Sequence, residues 1–332
     1  MLHRRGLLAA ASLLPLAARA EGRPIRVIVG YVAGGGVDIT MRILAPRLSA
    51  LLGQPVVVDN RPGGAGNLAN ELLAQAPPDG LTLMVGTIGQ MTVNPLLTKL
   101  SLDPVTAFTP VSLLVDVTNL LVVPADRPWR SVAELVAAAK REPGVLTYGS
   151  SSVGSAGHLA AAVLDQAAGI ETVHVPYRGG GQLITDLISG KIDFGFATAA
   201  TTLPHVQPGD GRPGRLRALA VPTARRSALV PAVPTIAESG VPGFDVVNWY
   251  GLLAPKDLAP ARVETLNAAL HEAMRDPEVL ANSPPRVSSR CRAAPPNPAL
   301  HGGGSGALGP GGQGGRHQRR LKPCPTARCP PG

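Results

Sequence analysis

Aromatic side chains are scarce: Phe, Trp and Tyr make up 3% of the 332 residues. Any core must therefore be built from Leu, Val, Ala and Ile, in a chain that is 45% hydrophobic and long enough for two compact lobes. Cysteine is missing from residues 21–281, since Cys291, Cys324 and Cys329 all fall near the end. That excludes a disulfide scaffold, and a thiol-free body suits an oxidising compartment. The seven histidines are scattered without metal-ligand spacing, so no metal and no cofactor is expected. Beyond the N-terminal segment, no stretch is long and apolar enough to cross a bilayer.

Acidic residues are absent from both ends of the chain. Arg4, Arg5 and Arg19 stand without an acid in residues 1–20, and seven Arg plus Lys322 do so in residues 282–332. Removing these three and eight positive charges from the net +9 leaves −2 for residues 21–281. The basic balance is not a nucleic-acid footprint spread over a folded face, and no nucleic-acid partner is expected.

The two ends read differently from the body. His3, Arg4 and Arg5 precede the apolar Leu7–Ala18, and Ala18-Arg19-Ala20 is an A-x-A cleavage signal. Residues 1–20 are expected to be a signal peptide for periplasmic export by the Sec or twin-arginine route. From Asn282 the hydrophobic periodicity stops: residues 282–332 hold ten Gly and ten Pro and no aromatic. As written, such a stretch stays disordered. Ala299–Arg320, re-read one base later with GC-rich codons, can yield PFMAAEAARWGPVVKAAGISA, an amphipathic helix of ordinary composition. The expectation is a frame shift near residue 281.

Within the body, β-rich runs alternate with helical periodicity. Pro24–Gly30 is a strand, Asp38 opens a helix through Leu51, and Pro55–Val58 and Leu81–Val85 are further strands. This pattern predicts an α/β fold with mainly parallel sheets. Leu120–Val123 reads as a crossing into a second lobe and Leu216–Val221 as the return. The expected boundaries are 21–120 plus 222–281 for lobe 1 and 121–221 for lobe 2, joined by a two-strand hinge. A hinge places a cleft between lobes, where small ligands bind.

Three glycine- or serine-rich turns follow strands. Tyr31-Val32-Ala33-Gly34-Gly35-Gly36-Val37-Asp38 opens a helix whose free N–H groups and dipole favour an anion, with Asp38 placed as N-cap. Ser150-Ser151-Ser152-Val153-Gly154-Ser155 repeats the device, and Pro176-Tyr177-Arg178-Gly179-Gly180-Gly181 repeats it again. Thr87, Gly89 and Asn94 are candidates for the first-lobe wall. Tyr177 is placed to close over a ligand, and Arg178 either to neutralise it or to sit in solvent. His158 is expected to bond locally, and Trp249-Tyr250 to pack near the hinge. A dinucleotide fingerprint counted from Gly34 puts Ile39 where its third glycine belongs. A nucleophile elbow counted from Gly149 puts Val153 at its last glycine, so no enzyme is expected.

The stretches VIVGYVAGGGVDITMR, VVVDNRPGGAGNLA, LTYGSSSVGSAGHLAA, VHVPYRGGGQLITDLISGKIDF and NWYGLLAP resemble, in order, the Bug family of substrate-binding proteins of tripartite tricarboxylate transporters. The resemblance spans about 25–281. It implies a type II periplasmic-binding-protein fold, a monomer that captures a small di- or tricarboxylate or a related acid and presents it to a membrane permease. It also implies that a carboxylate is held by backbone N–H groups, at Ala33, Gly34, Gly35 and Asp38 in one lobe. Ser150, Ser151, Gly154 and Ser155, with Tyr177 nearby, would serve in the other. Gly30 departs from the family, which often has Pro before the aromatic that is Tyr31 here. A sensory receptor of the same fold, or an exported hydrolase, would be the alternatives.

Overall fold

The computed structural model describes residues 22–206 and 213–282. The expected signal peptide, and all of the expected shifted tail except Asn282, lie outside the described residues.

The first lobe starts with β1 (Ile25–Val29), α1 (Gly36–Leu52), β2 (Val56–Asn60), α2 (Asn67–Ala74) and β3 (Thr82–Thr87). A π turn (Gly89–Val93), α3 (Asn94–Leu97) and β4 (Phe108–Asp116) follow, and β10 (Trp249–Pro255), α8 (Pro260–Ala273) and α9 (Pro277–Asn282) return to it. Its sheet runs β2-β1-β3-β10-β4, parallel in the first three strands, with β10 antiparallel to both neighbours. Val27 and Val29 of β1 pack with α1 and α8 on one face, whereas Ile28 packs with Ala69 and Leu73 of α2 on the other. Period-two alternation between two apolar faces is what a sheet covered on both sides requires.

The second lobe repeats the plan. It contains β5 (Asn119–Pro124), α4 (Val132–Arg141), β6 (Thr147–Ser150), α5 (Ala156–Ala168) and β7 (Val173–Pro176), then α6 (Gly180–Ile188), β8 (Phe194–Thr198), α7 (Ala199–Val206) and β9 (Leu216–Ala220). The order is β7-β6-β8-β5-β9. The phenylalanines Phe194 and Phe196 are among its largest fully buried side chains, and small Ala160 and Ala161 of α5 meet them in the same cluster.

Both predicted crossings move. Leu120–Val123 are the interior of β5, not a linker: Leu121 and Val123 enter one core cluster, Leu120 and Val122 the other. An unbroken apolar run is the mark of a strand buried on both faces. The chain crosses just before, at Val117-Thr118, where the Val117 N–H donates to the Asn248 carbonyl at 2.8 Å. The return lies beside it, at Val247-Asn248, and not at Leu216–Val221, which runs from β9 into that lobe's core. Residues 222–246, expected in lobe 1, pack on lobe 2 through Val230, Ile236, Val241, Phe244 and Val246. Their prolines (Pro222, Pro231, Pro234 and Pro242) break any periodicity that could have assigned them.

Candidate functional site

Residues of both lobes line one cleft beside these crossings. Its walls are the C-terminal ends of parallel strands and the helix starts that follow them, the usual ligand position in open α/β sheets. From lobe 1 come Tyr31, Gly35, Gly36 and Val37 between β1 and α1, with Thr87, Ile88 and Gly89 after β3. From lobe 2 come Ser151, Ser155, Ala156 and Gly157 at α5, Gly179, Gly180 and Leu183 at α6, and Phe196, Ala197 and Thr198 before α7. Asn119, Asn248 and Tyr250 complete the hinge side. None of these lining residues is charged.

Three helices of nine residues or more therefore begin at the cleft: α1, α5 and α6. The first N–H groups of a helix have no partner within it. The starts of α1 and α6, at Gly35 and Gly179, have no side-chain cap. They also face each other, since a Cβ built on Gly35 would lie 3.6 Å from the Gly180 nitrogen. At α5 the Ser155 hydroxyl accepts from the His158 N–H at 3.3 Å. Each such terminus is worth ~0.3–1 kcal/mol to a nearby anion, and up to ~2 kcal/mol where water is partly excluded.

The lobes also meet at two further glycines. At one, a Cβ on Gly36 would fall 2.8 Å from the Thr198 hydroxyl and 2.9 Å from that of Tyr250. At the other, a Cβ on Gly89 would fall 2.6 Å from the Gly154 carbonyl oxygen. Only glycine fits such approaches. The α5 start is fixed to β8 by Gly157 against the Phe196 carbonyl, and the α1 start meets β8 at Thr198.

Of the residues singled out in the sequence, Tyr31, Gly35, Thr87, Gly89, Ser151 and Ser155 line the cleft. The Tyr31 hydroxyl and Thr87 Oγ1 are 3.0 Å apart and hydrogen-bonded, and burial pushes the phenol's pKa up. The others do not. Ala33 is exposed, and Gly34 opens onto a separate groove beside α6 and α7. Asp38 is not the N-cap, which is Gly35. The residue is 2% exposed, and its carboxylate accepts from the Gly34 N–H at 2.9 Å and from Arg42 Nε at 2.9 Å. Burial alone would raise its pKa, yet the hydrogen bonds from Arg42, the Gly34 amide and Asn60 hold it below the usual carboxylate range.

Ser150 is fully buried and turned inward, its hydroxyl donating to the Ser152 carbonyl at 2.9 Å. Gly154 carries φ +74°, and its N–H donates to His158 Nδ1 at 3.0 Å, so it supports the wall without lining it. Tyr177 does not close over the cleft. Its hydroxyl donates to Asp186 at 3.0 Å, and burial, followed by that carboxylate, pushes its pKa up to about 12. Asn94 packs against Gly154, and Arg178 is exposed. Among the described residues, no cluster of three or more metal-ligating side chains occurs.

The sequence reading missed Gly36, Thr198, Asn119, Asn248 and Tyr250. Gly36 and Thr198 carried a signal, a small or hydroxyl residue where a strand passes into a helix. Asn119 and Asn248 carried none, because 129 residues separate them along the chain. Tyr250, expected to pack near the hinge, does so with one edge in the cleft.

The family model of the tripartite tricarboxylate transporter family receptor matches residues 40–283. The chain belongs to that family. The protein BugT of Bordetella pertussis is 34% identical over 264 residues, covering 78% of this chain and 78% of that one. An R. palustris protein solved with adipate is 35% identical at a TM-score of 0.74, covering 79% of this chain and 86% of that one. MatC from Rhodopseudomonas palustris, solved with malate, is 30% identical at a TM-score of 0.73, covering 78% and 87%. The fold is thus the two-lobed α/β architecture of periplasmic binding proteins, and the receptor's cleft lies where its lobes meet.

The Asp38 contacts carry one consequence for this receptor. Asp38→Ala is expected to cost about 1 kcal/mol at pH 7, since it frees the Gly34 amide and the exposed Arg42. A carboxylate whose pKa is lowered on folding stabilises above its unfolded value near 3.8 and loses that effect as pH falls through the lower folded one. Urea midpoints of wild type and variant should therefore differ at pH 7 and converge in strong acid.

Proposed function

We propose that the protein is a periplasmic receptor that closes over a small dicarboxylate and delivers it to the membrane subunits of a tripartite transporter. The observation that carries this reading is the convergence of three helix N-termini on a cleft that, among the described residues, is lined by no charged side chain. Helix starts facing the cleft from both lobes match a short chain with an anion at each end better than a single carboxylate. Val37, Ile88, Leu183 and Phe196 give the intervening methylenes an apolar wall. The relatives solved with adipate and with malate both hold dicarboxylates.

Closure follows from the two-sided contacts. Only the closed state lets one ligand meet α1 and α5 together, so binding shifts the population toward it. The site supports capture without chemistry. Ser150 and His174 form a serine–histidine pair at 2.7 Å, but Ser150 is sealed from the cleft and its proton is committed to Ser152.

Thermal shift and titration calorimetry test the reading, because a ligand that binds only the folded state raises the melting temperature by mass action. Adipate or succinate at about 100 times its Kd should add about 2.7 kcal/mol of stability, whereas 1,6-hexanediol and hexylamine should add none. No response to any dicarboxylate at millimolar concentration, or an equal response to the diol, would overturn it.

A further inference from the structure

The hinge side of the cleft holds hydrogen-bonding capacity that the fold does not use. Asn119 opens β5 and Asn248 immediately precedes β10, so each stands beside one crossing. Asn248 Nδ2 donates to Asn119 Oδ1 at 3.1 Å, and the two are only 9% and 4% exposed. That bond leaves Asn119 Nδ2 as a donor and Asn248 Oδ1 as an acceptor, neither with a partner among the described residues. Turning both amides over leaves the same free pair, one donor beside one acceptor. Tyr250 lies two positions after Asn248 and so faces the same way. It is 4% exposed, and its hydroxyl makes no hydrogen bond among the described residues. All three line the cleft.

The chemistry of that floor selects its guest. A carboxylate only accepts and would meet the free carbonyl oxygen of an asparagine; an ammonium only donates and would meet the free amide hydrogens. An alcohol does both. We propose that Asn119 and Asn248, flanked by Tyr250, read a hydroxyl group on the ligand's carbon chain and make the receptor selective for hydroxydicarboxylates over the unsubstituted acids. The inference rests on the dicarboxylate reading of the same cleft. A bare methylene at this point strips water from the amides and gives nothing back, which is how a site built for a hydroxyl rejects its absence.

Malate and succinate differ by that one hydroxyl, so calorimetric titration of the purified protein with each is the test, using both malate enantiomers. The better malate enantiomer should bind at least about tenfold tighter than succinate. In Asn119→Ala the ratio should fall below about threefold, the loss falling on malate more than on succinate. Because Asn119 stands at a crossing, Tyr250→Phe is the second variant. It removes one oxygen and should weaken malate several-fold more than it weakens succinate. Equal binding of the two acids by wild type would sink the inference while leaving the dicarboxylate reading intact. So would a malate preference that survives both substitutions. Failure of malate, succinate and adipate alike would instead bring down the reading of the cleft, and this inference with it.

Discussion

Gly89→Ala should leave the unliganded protein folded and weaken dicarboxylate binding by about 100-fold. The added methyl would stand 2.6 Å from the Gly154 carbonyl oxygen and 3.1 Å from Ser155 Cα, both main-chain atoms of the opposite lobe. Neither can swing aside as a side chain would, so the methyl acts as a wedge in the closed state alone. Overpacking of this kind costs ~1–3 kcal/mol, and the upper end corresponds to about two orders of magnitude in affinity. Gly89 has no left-handed φ, so alanine adopts its backbone without strain. Gly35→Ala is the control. Its methyl would meet only the Val32 carbonyl at 3.5 Å and the Gly180 nitrogen at 3.6 Å, ordinary contact distances. Its Kd should move less than about threefold. Calorimetry with succinate or adipate, paired with small-angle scattering for ligand-induced compaction, reads both. Wild-type affinity in Gly89→Ala would show that the lobes do not need this approach to hold a ligand.

The legible part of the site was its backbone chemistry. A glycine or serine run between a strand and a helix announces an open helix start, and three such runs in one α/β chain converge if the lobes face each other. Gly35, Ser155 and Gly179 follow from that logic, and the family resemblance supplied their common purpose. Side-chain direction was not legible. Ser150 and Ser151 are neighbours on a strand end, and alternation sends one to the core and the other to the cleft. Tyr177 looked like a lid because Asp186, its partner nine residues on, belongs to a helix turn whose phase sequence alone does not fix. The return crossing failed for another reason. Residues 222–246 are held by turns and single contacts such as Val221 N–H to the Pro234 carbonyl, and irregular backbone leaves no period to read.

The absence of cationic side chains from the cleft lining, among the described residues, fits closure and release. An arginine would attract a dicarboxylate strongly, but would need to be desolvated, unaccompanied by an acid, each time the lobes shut. Helix starts supply fractional positive charge on atoms already fixed by the fold, with no side-chain entropy to lose on binding. Asp38 fits this design because its charge is turned onto Arg42 and the Gly34 amide, away from the space in which an anion sits.

Acidification from pH 7 to about 4.5 should lower stability by ~1–2 kcal/mol through the histidine pair behind the lobe 2 wall. His158 and His174 stack with ring centres 4.0 Å apart and an interplanar angle of 11°, and Tyr148 stacks on His174 at 4.8 Å. The bonds around the pair have fixed polarity, and the one at His158 requires the neutral ring. An amide can only donate, so His158 Nδ1 must accept from Gly154. The Ser150 proton goes to Ser152, so His174 Nε2 must donate to Ser150. Burial lowers both pKa values, and His174, with His158 against it, falls to about 4. Asp165, whose charge reaches the stacked Tyr148, is tied to Thr172 and has its own pKa raised by burial. A histidine whose pKa drops on folding favours the folded state above its unfolded value near 6.5 and loses that contribution as pH falls toward the folded one. His174→Phe keeps the stack and removes the titration. The difference in urea midpoint between wild type and variant should therefore shrink from pH 7 to 4.5, and parallel slopes would contradict the account. Protonation of His158 would also release the Gly154 amide, the residue whose carbonyl meets Gly89 across the cleft. Ligand affinity should accordingly fall over the same interval, and in Gly89→Ala, where that contact is already lost, it should fall less.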